Sequence, residues 1–147
     1  MQKRNVSGDP SVRLILEEYG FFFESHLSDI EEGYMGKDHH DLPDRAFERG
    51  KQYEMRNGGC PQCTLAAIFD VLGLEDDSVF KAATAFADGV GLTGDGHCGA
   101  LSGGTIAIGY LHGRDRKDFG DMMGLVKANL MAKQLRDRFV DKYGTVR

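Results

Sequence analysis

The chain has 147 residues, of which 41% are hydrophobic and 28% charged, and its formal net charge is -5. That length holds one domain with a real hydrophobic core, and the balance is globular rather than disordered. A nucleic-acid footprint, which needs a clustered basic surface, is not expected, and no apolar stretch reaches the roughly 18–20 residues that cross a bilayer.

The opening MQKRNVSGDP has two basic residues but no apolar region after them, so no secretory signal is expected and the protein is read as cytoplasmic. A first helix is expected from about Pro10 to about His26. Asp9 is placed to cap it, and Val12, Ile15, Leu16, Tyr19, Phe22 and Phe23 fall at helical spacing as core contacts. Glu31 to Asp41, with Gly33, Gly36 and the pair His39-His40, reads as a solvated loop. A second helix is expected from Pro43 to about Met55, with Ala46, Phe47 and Tyr53 turned inward.

Asn57-Gly58-Gly59 breaks the chain, and a third helix runs from Cys60 until Gly73 ends it. Glu75, Asp76, Asp77 and Ser78 open a fourth, carrying Val79, Phe80, Ala83 and Phe86. Asp88 to Gly96 is a glycine-rich loop, and a fifth helix covers about Cys98 to Leu111. The run Arg114, Arg116, Lys117 reads as a solvated loop. A last helix is expected from about Lys117 to Tyr143, with Phe119, Met122, Met123, Val126, Leu130 and Phe139 as its apolar set. No segment alternates with period two. The expected fold is therefore all-α, a single helical domain over 1–147, bundled from about five to six helices.

Three cysteines do not build a disulfide scaffold, and in a reducing compartment cysteines in special settings serve catalysis, redox chemistry or metal binding. Cys60 and Cys98 share one setting: a glycine-rich loop, then the cysteine, then a helix. Unpaired backbone N–H groups and the helix dipole at such a start favour thiolate, so the thiol pKa is expected to fall. Cys60-Pro-Gln-Cys63 is a CxxC, which allows a disulfide or two ligands to one metal. The preceding KQYEMRNGG is no strand, which sets it apart from a thioredoxin-type motif. A four-ligand zinc site would need His97 or His112 beside Cys60, Cys63 and Cys98. In the fifth helix Gly99, Gly103 and Ala107 recur at spacing four. Each interior glycine costs a helix about 1 kcal/mol, so close packing of another helix or of a cofactor should offset it. A packing role for all three thiols, in a non-enzymatic interaction domain, is the plain alternative.

Cys98-Gly99-Ala100-Leu101-Ser102-Gly103 resembles the CGAxxG signature of the redox-active family named C-GCAxxG-C-C. Gly59-Cys60-Pro61-Gln62 followed by Leu65 is similar to that family's G-x-C-A-Q-A-x-L, with Pro61 and Cys63 where alanines are usual. The resemblance spans residues 42–147, leaving 1–41 as an N-terminal helix and loop. It implies a small helical bacterial or archaeal domain with four signature cysteines that does redox work or holds an iron–sulfur centre. The third and fourth of those cysteines follow the last long helix in the family. This sequence reads Gly144-Thr145-Val146-Arg147 there, so the C-terminal pair is not present in it. The expected function is electron transfer or redox chemistry with Cys60 and Cys98 as catalytic thiolates. Cys63 is an accessory thiol, His97 a polar neighbour, and Gly99 and Gly103 line the site. The alternative is a metal-binding module, iron–sulfur or zinc, on Cys60, Cys63, Cys98 and His97. A redox partner protein and a homodimer are the implied partners, with no nucleic acid and no membrane insertion. The loops before Cys60 and Cys98 are expected to meet in space.

Overall fold

A computed structural model describes residues 41–147. The first expected helix, its aromatic stripe and His39-His40 lie outside them. Among the described residues there are five α-helices and no strand, so the chain is all-α as expected: α1 (Leu42–Asn57), α2 (Cys60–Leu72), α3 (Asp77–Ala82), α4 (Gly99–His112) and α5 (Met122–Tyr143). Short 3-10 turns follow α3 at Ala83–Phe86 and precede α5 at Arg116–Asp118.

Local chemistry sets the boundaries. Gly58 and Gly59 both take positive φ, 65° and 86°, which lets the chain reverse between α1 and α2 in two residues. Gly73 ends α2 in the left-handed conformation at φ 67°. The Asp76 carboxylate accepts from the backbone N–H groups of Ser78 and Val79 and caps α3. Asp121 does the same for Met123 and Gly124, so α5 begins at Met122, later than its apolar spacing suggested.

The helices neighbour one another in the order α1, α2, α4, α5. Arg49 of α1 pairs with Asp70 of α2 at 2.8 Å, and the Tyr53 hydroxyl donates to the same carboxylate at 2.5 Å. Central α4 serves two cores. Ala107 joins Ala46, Leu65, Ile68, Phe69 and Ala83 on one side. Ala100, Leu101 and Ile108 join Met131, Leu135 and Phe139 of α5 on the other. The apolar set expected for the last helix is largely corrected. Phe119, Met122 and Met123 are 72%, 60% and 76% exposed, Val126 and Leu130 are exposed too, and of that set Phe139 alone is buried. The buried face of α5 runs through Met131, Leu135 and Phe139 at spacing four, against α4. Phe80 and Phe86 are likewise exposed, whereas Ala83 is fully buried.

Between Ala87 and Gly96 the chain winds the wrong way for L-residues. Asp88, Gly89, Val90, Gly91 and Leu92 all have positive φ, and Gly94 follows. Each non-glycine residue held there costs roughly 1–2 kcal/mol. The Thr93 hydroxyl, donating toward the Gly89 and Val90 carbonyls at 2.8 and 3.1 Å, ties the loop together. It doubles back where Gly89 meets Gly96 so closely that a Cβ on Gly89 would lie 2.4 Å from the Gly96 nitrogen.

Candidate functional site

Cys60 is the first residue of α2, and Cys98 stands immediately before α4 as its N-cap. The two helix starts are in contact. A Cβ placed on Gly99 would lie 2.7 Å from the Cys60 Cβ and 2.7 Å from the Pro61 Cδ. One turn on, a Cβ on Gly103 would lie 2.5 Å from the Pro61 carbonyl oxygen and 2.9 Å from the Thr64 Cβ. The small-residue stripe of α4 is thus filled by the first turn of α2. Of the two fillings open from the sequence, a helix or a cofactor, a helix takes Gly99 and Gly103.

The Gly58-Gly59 reversal lays the last turn of α1 against the first turn of α2. Glu54 arrives there. The Cys60 thiol donates to Oε1 of Glu54 at 3.6 Å, while Oε2 is buried with no hydrogen-bond partner. The Cys63 thiol, itself buried, donates to the Gly58 carbonyl at 3.2 Å. None of the three cysteines is in a disulfide.

The electrostatics correct the expectation of a lowered pKa for the Cys60 thiol. Burial, then the charge of Glu54, then that of Cys98 push Cys60 from the ordinary 9.0 up to about 12, and its own backbone contact is the smallest influence and the one that lowers it. Burial and Glu54 push Cys63 up to about 12 as well. The helix-start effect is real but weaker than desolvation beside a carboxylate. Glu54 escaped the sequence reading because a lone acid on a polar helix looks like a solvated charge. The signal was positional: it lies six residues before Cys60, across a two-glycine link.

Cys98, whose charge acts on Cys60, also borders a cleft. It is half-buried against the core between α4 and α5, and its N–H donates to the Val146 carbonyl at 2.7 Å. It lines an open cleft of about 640 Å³ with Asp88, Gly89, Gly94, Gly96, His97 and Arg147. Arg147 reaches Asp95 across the rim at 3.6 Å. His97 is exposed beside Cys98, whereas His112 lies at the opposite end of α4. Among the described residues, no group of three or more His, Cys, Asp or Glu side chains is arranged to hold a metal ion. The donor set implied for a cluster or zinc therefore does not fit one in this arrangement. In the basic run before α5, Arg116 and Lys117 are exposed, with Lys117 paired to Asp115 and Asp118, while half-buried Arg114 stacks over the Phe119 ring at 4.5 Å.

Residues 59–147 match the model of a family described as "Putative redox-active protein (C_GCAxxG_C_C)". The chain belongs to the C_GCAxxG_C_C family. The match begins at Gly59 and takes in Cys60, Cys63 and Cys98, but not Glu54. No curated protein and no solved structure shows a detectable match. No described helix of this C_GCAxxG_C_C chain is long and apolar enough to cross a membrane.

Proposed function

We propose that the protein is a dithiol redox carrier in which Cys98 and Cys60 cycle between two thiols and a disulfide. Cys98 is the thiol that meets substrate, because it lines the cleft, and Cys60 lies behind it on α2. The reading rests above all on one observation: Gly99, next to Cys98, is packed directly on Cys60.

The chemistry balances as thiol–disulfide exchange with a disulfide-bearing partner. Cys98 Sγ, as thiolate, attacks one sulfur of the partner's disulfide. A bond from Cys98 to that sulfur forms, the partner's S–S bond breaks, and the departing thiolate takes up a proton. Cys60 Sγ then attacks Cys98 Sγ, which releases the second partner thiol. Two electrons have passed to the partner, two partner thiols have formed, and the Cys60–Cys98 disulfide remains. Cys63, buried and held by the Gly58 carbonyl, is an accessory thiol outside this pair. His97, at the mouth of the cleft, is placed to contact the incoming partner.

The test is oxidation by a small symmetrical disulfide, followed by peptide mass spectrometry without reduction. The expected product is a Cys60–Cys98 cross-link that Cys98→Ser abolishes. Protein purified without oxygen and analysed for metal and sulfide should be colourless. Stoichiometric iron and sulfide, or no cross-link from the fully reduced protein, would overturn the dithiol reading.

A further inference from the structure

We infer that Glu54 is the proton acceptor for Cys60: as Cys60 Sγ closes the disulfide on Cys98, its thiol proton passes to Oε1 of Glu54. This rests on the dithiol reading and adds a residue that the family match does not reach.

The closing step requires Cys60 to lose a proton as it attacks. Cys60 is half-buried, and the Oε1 of Glu54 accepts from its thiol. The neighbouring Cys63 thiol donates to the Gly58 carbonyl at 3.2 Å, and Glu54 acts on it too, by charge and by hydrogen bond. Among the described residues, the groups whose charge acts on Cys60 are Glu54 from α1 and Cys98 from the start of α4, and both are acidic. Those acting on Cys63 are Glu54 and Cys60. No cation is among them to stabilise a lone Cys60 thiolate, so a free thiolate is a poor resting state. Transfer to a carboxylate already in contact, concerted with attack, avoids that state. The second oxygen of Glu54 is buried with no hydrogen-bond partner among the described residues. Its place is fixed because Arg49 and Tyr53 of the same helix are tied to Asp70 of α2.

Base and mere electrostatic brake predict opposite signs. In Glu54→Gln a negative charge beside Cys60 disappears, so its alkylation by iodoacetamide at pH 8 should rise about tenfold or more, as a one-unit fall in pKa gives. Disulfide closure from the Cys98 mixed disulfide at pH 7 should instead slow about 100-fold, the ordinary worth of a positioned base. Glu54→Asp should recover part of the closure rate while keeping alkylation slow, and it keeps the question open to measurement should the glutamine variant fold poorly. Closure that accelerates together with alkylation, or closure unchanged in both variants, overturns the inference. Wild-type protein that never forms the Cys60–Cys98 disulfide refutes the dithiol reading itself, which is a separate outcome.

Discussion

At the scale of single residues, two thiols held well above their ordinary pKa govern how the protein responds to alkali. Cys60 and Cys63 are raised from 9.0 to about 12 in the folded state. A folded-state pKa above the unfolded one means that folding favours the protonated form. Its stabilising contribution is whole below the unfolded value and is lost as pH climbs through the folded one. Reduced protein should therefore lose thermal stability as pH rises from about 9, and Cys60→Ser should flatten that decline. Melting curves between pH 7 and pH 10.5 read this directly, and a melting temperature that stays level in the reduced wild type would contradict it. The same residues mark what the sequence could and could not convey. Cysteine position was plain, because CxxC and CGAxxG are local patterns. The sign of the pKa shift was not, because it depends on Glu54 and on burial, both products of packing across the Gly58-Gly59 reversal.

Among the elements, α4 carries the clearest contrast. Gly103 faces the Pro61 backbone and Thr64, whereas a Cβ on Gly109 would meet nothing within 4 Å. Alanine raises helix propensity equally at both sites, by about 1 kcal/mol. At Gly109 that gain should stand, so Gly109→Ala should be stabilising. At Gly103 the added methyl strikes backbone that cannot step aside, and overpacking of this kind costs about 1–3 kcal/mol. Gly103→Ala should then be net neutral to destabilising, and it should disturb the Cys60 environment. Paired chemical denaturation of the two variants checks the opposite ordering; Gly103→Ala more stable than Gly109→Ala would refute the close approach. Helix boundaries were readable because Pro, Gly and Asp punctuate them, and α2 begins and ends where that punctuation places it. The facing of α5 was not readable. Its sequence carries two apolar stripes, and only contact with α4 decides that Met131 and Leu135 are inside while Met122 and Met123 are out.

On the scale of the whole molecule, the proposed Cys60–Cys98 bond would join the starts of two helices separated in sequence by all of α2, α3 and the left-handed loop. Closing a loop of that size restricts the unfolded chain and is worth between about 3 and about 5 kcal/mol. Oxidised protein should accordingly resist denaturant better than reduced protein, by a difference that Cys98→Ser removes. Coincident unfolding curves for the two redox forms would argue against the pairing. The docking of the chain's last described residues beside this bond was invisible beforehand. Val146 reaches Cys98 through a backbone carbonyl, and such a contact leaves no mark on side-chain pattern.

The meeting of Gly99 and Gly103 with the first turn of α2 has a final consequence. Where a bare helix backbone meets the Pro61 ring, the Pro61 carbonyl and the Cβ atoms of Cys60 and Thr64, there is no long side chain to compress or to flip. The separation of the two helix starts is fixed like a gauge block, and neither helix can slide along the other without collision. Gain or loss of an electron pair at this junction would then leave the outline of the molecule the same. A partner that must tell the two forms apart would have to read the lining of the cleft, because the silhouette carries no message.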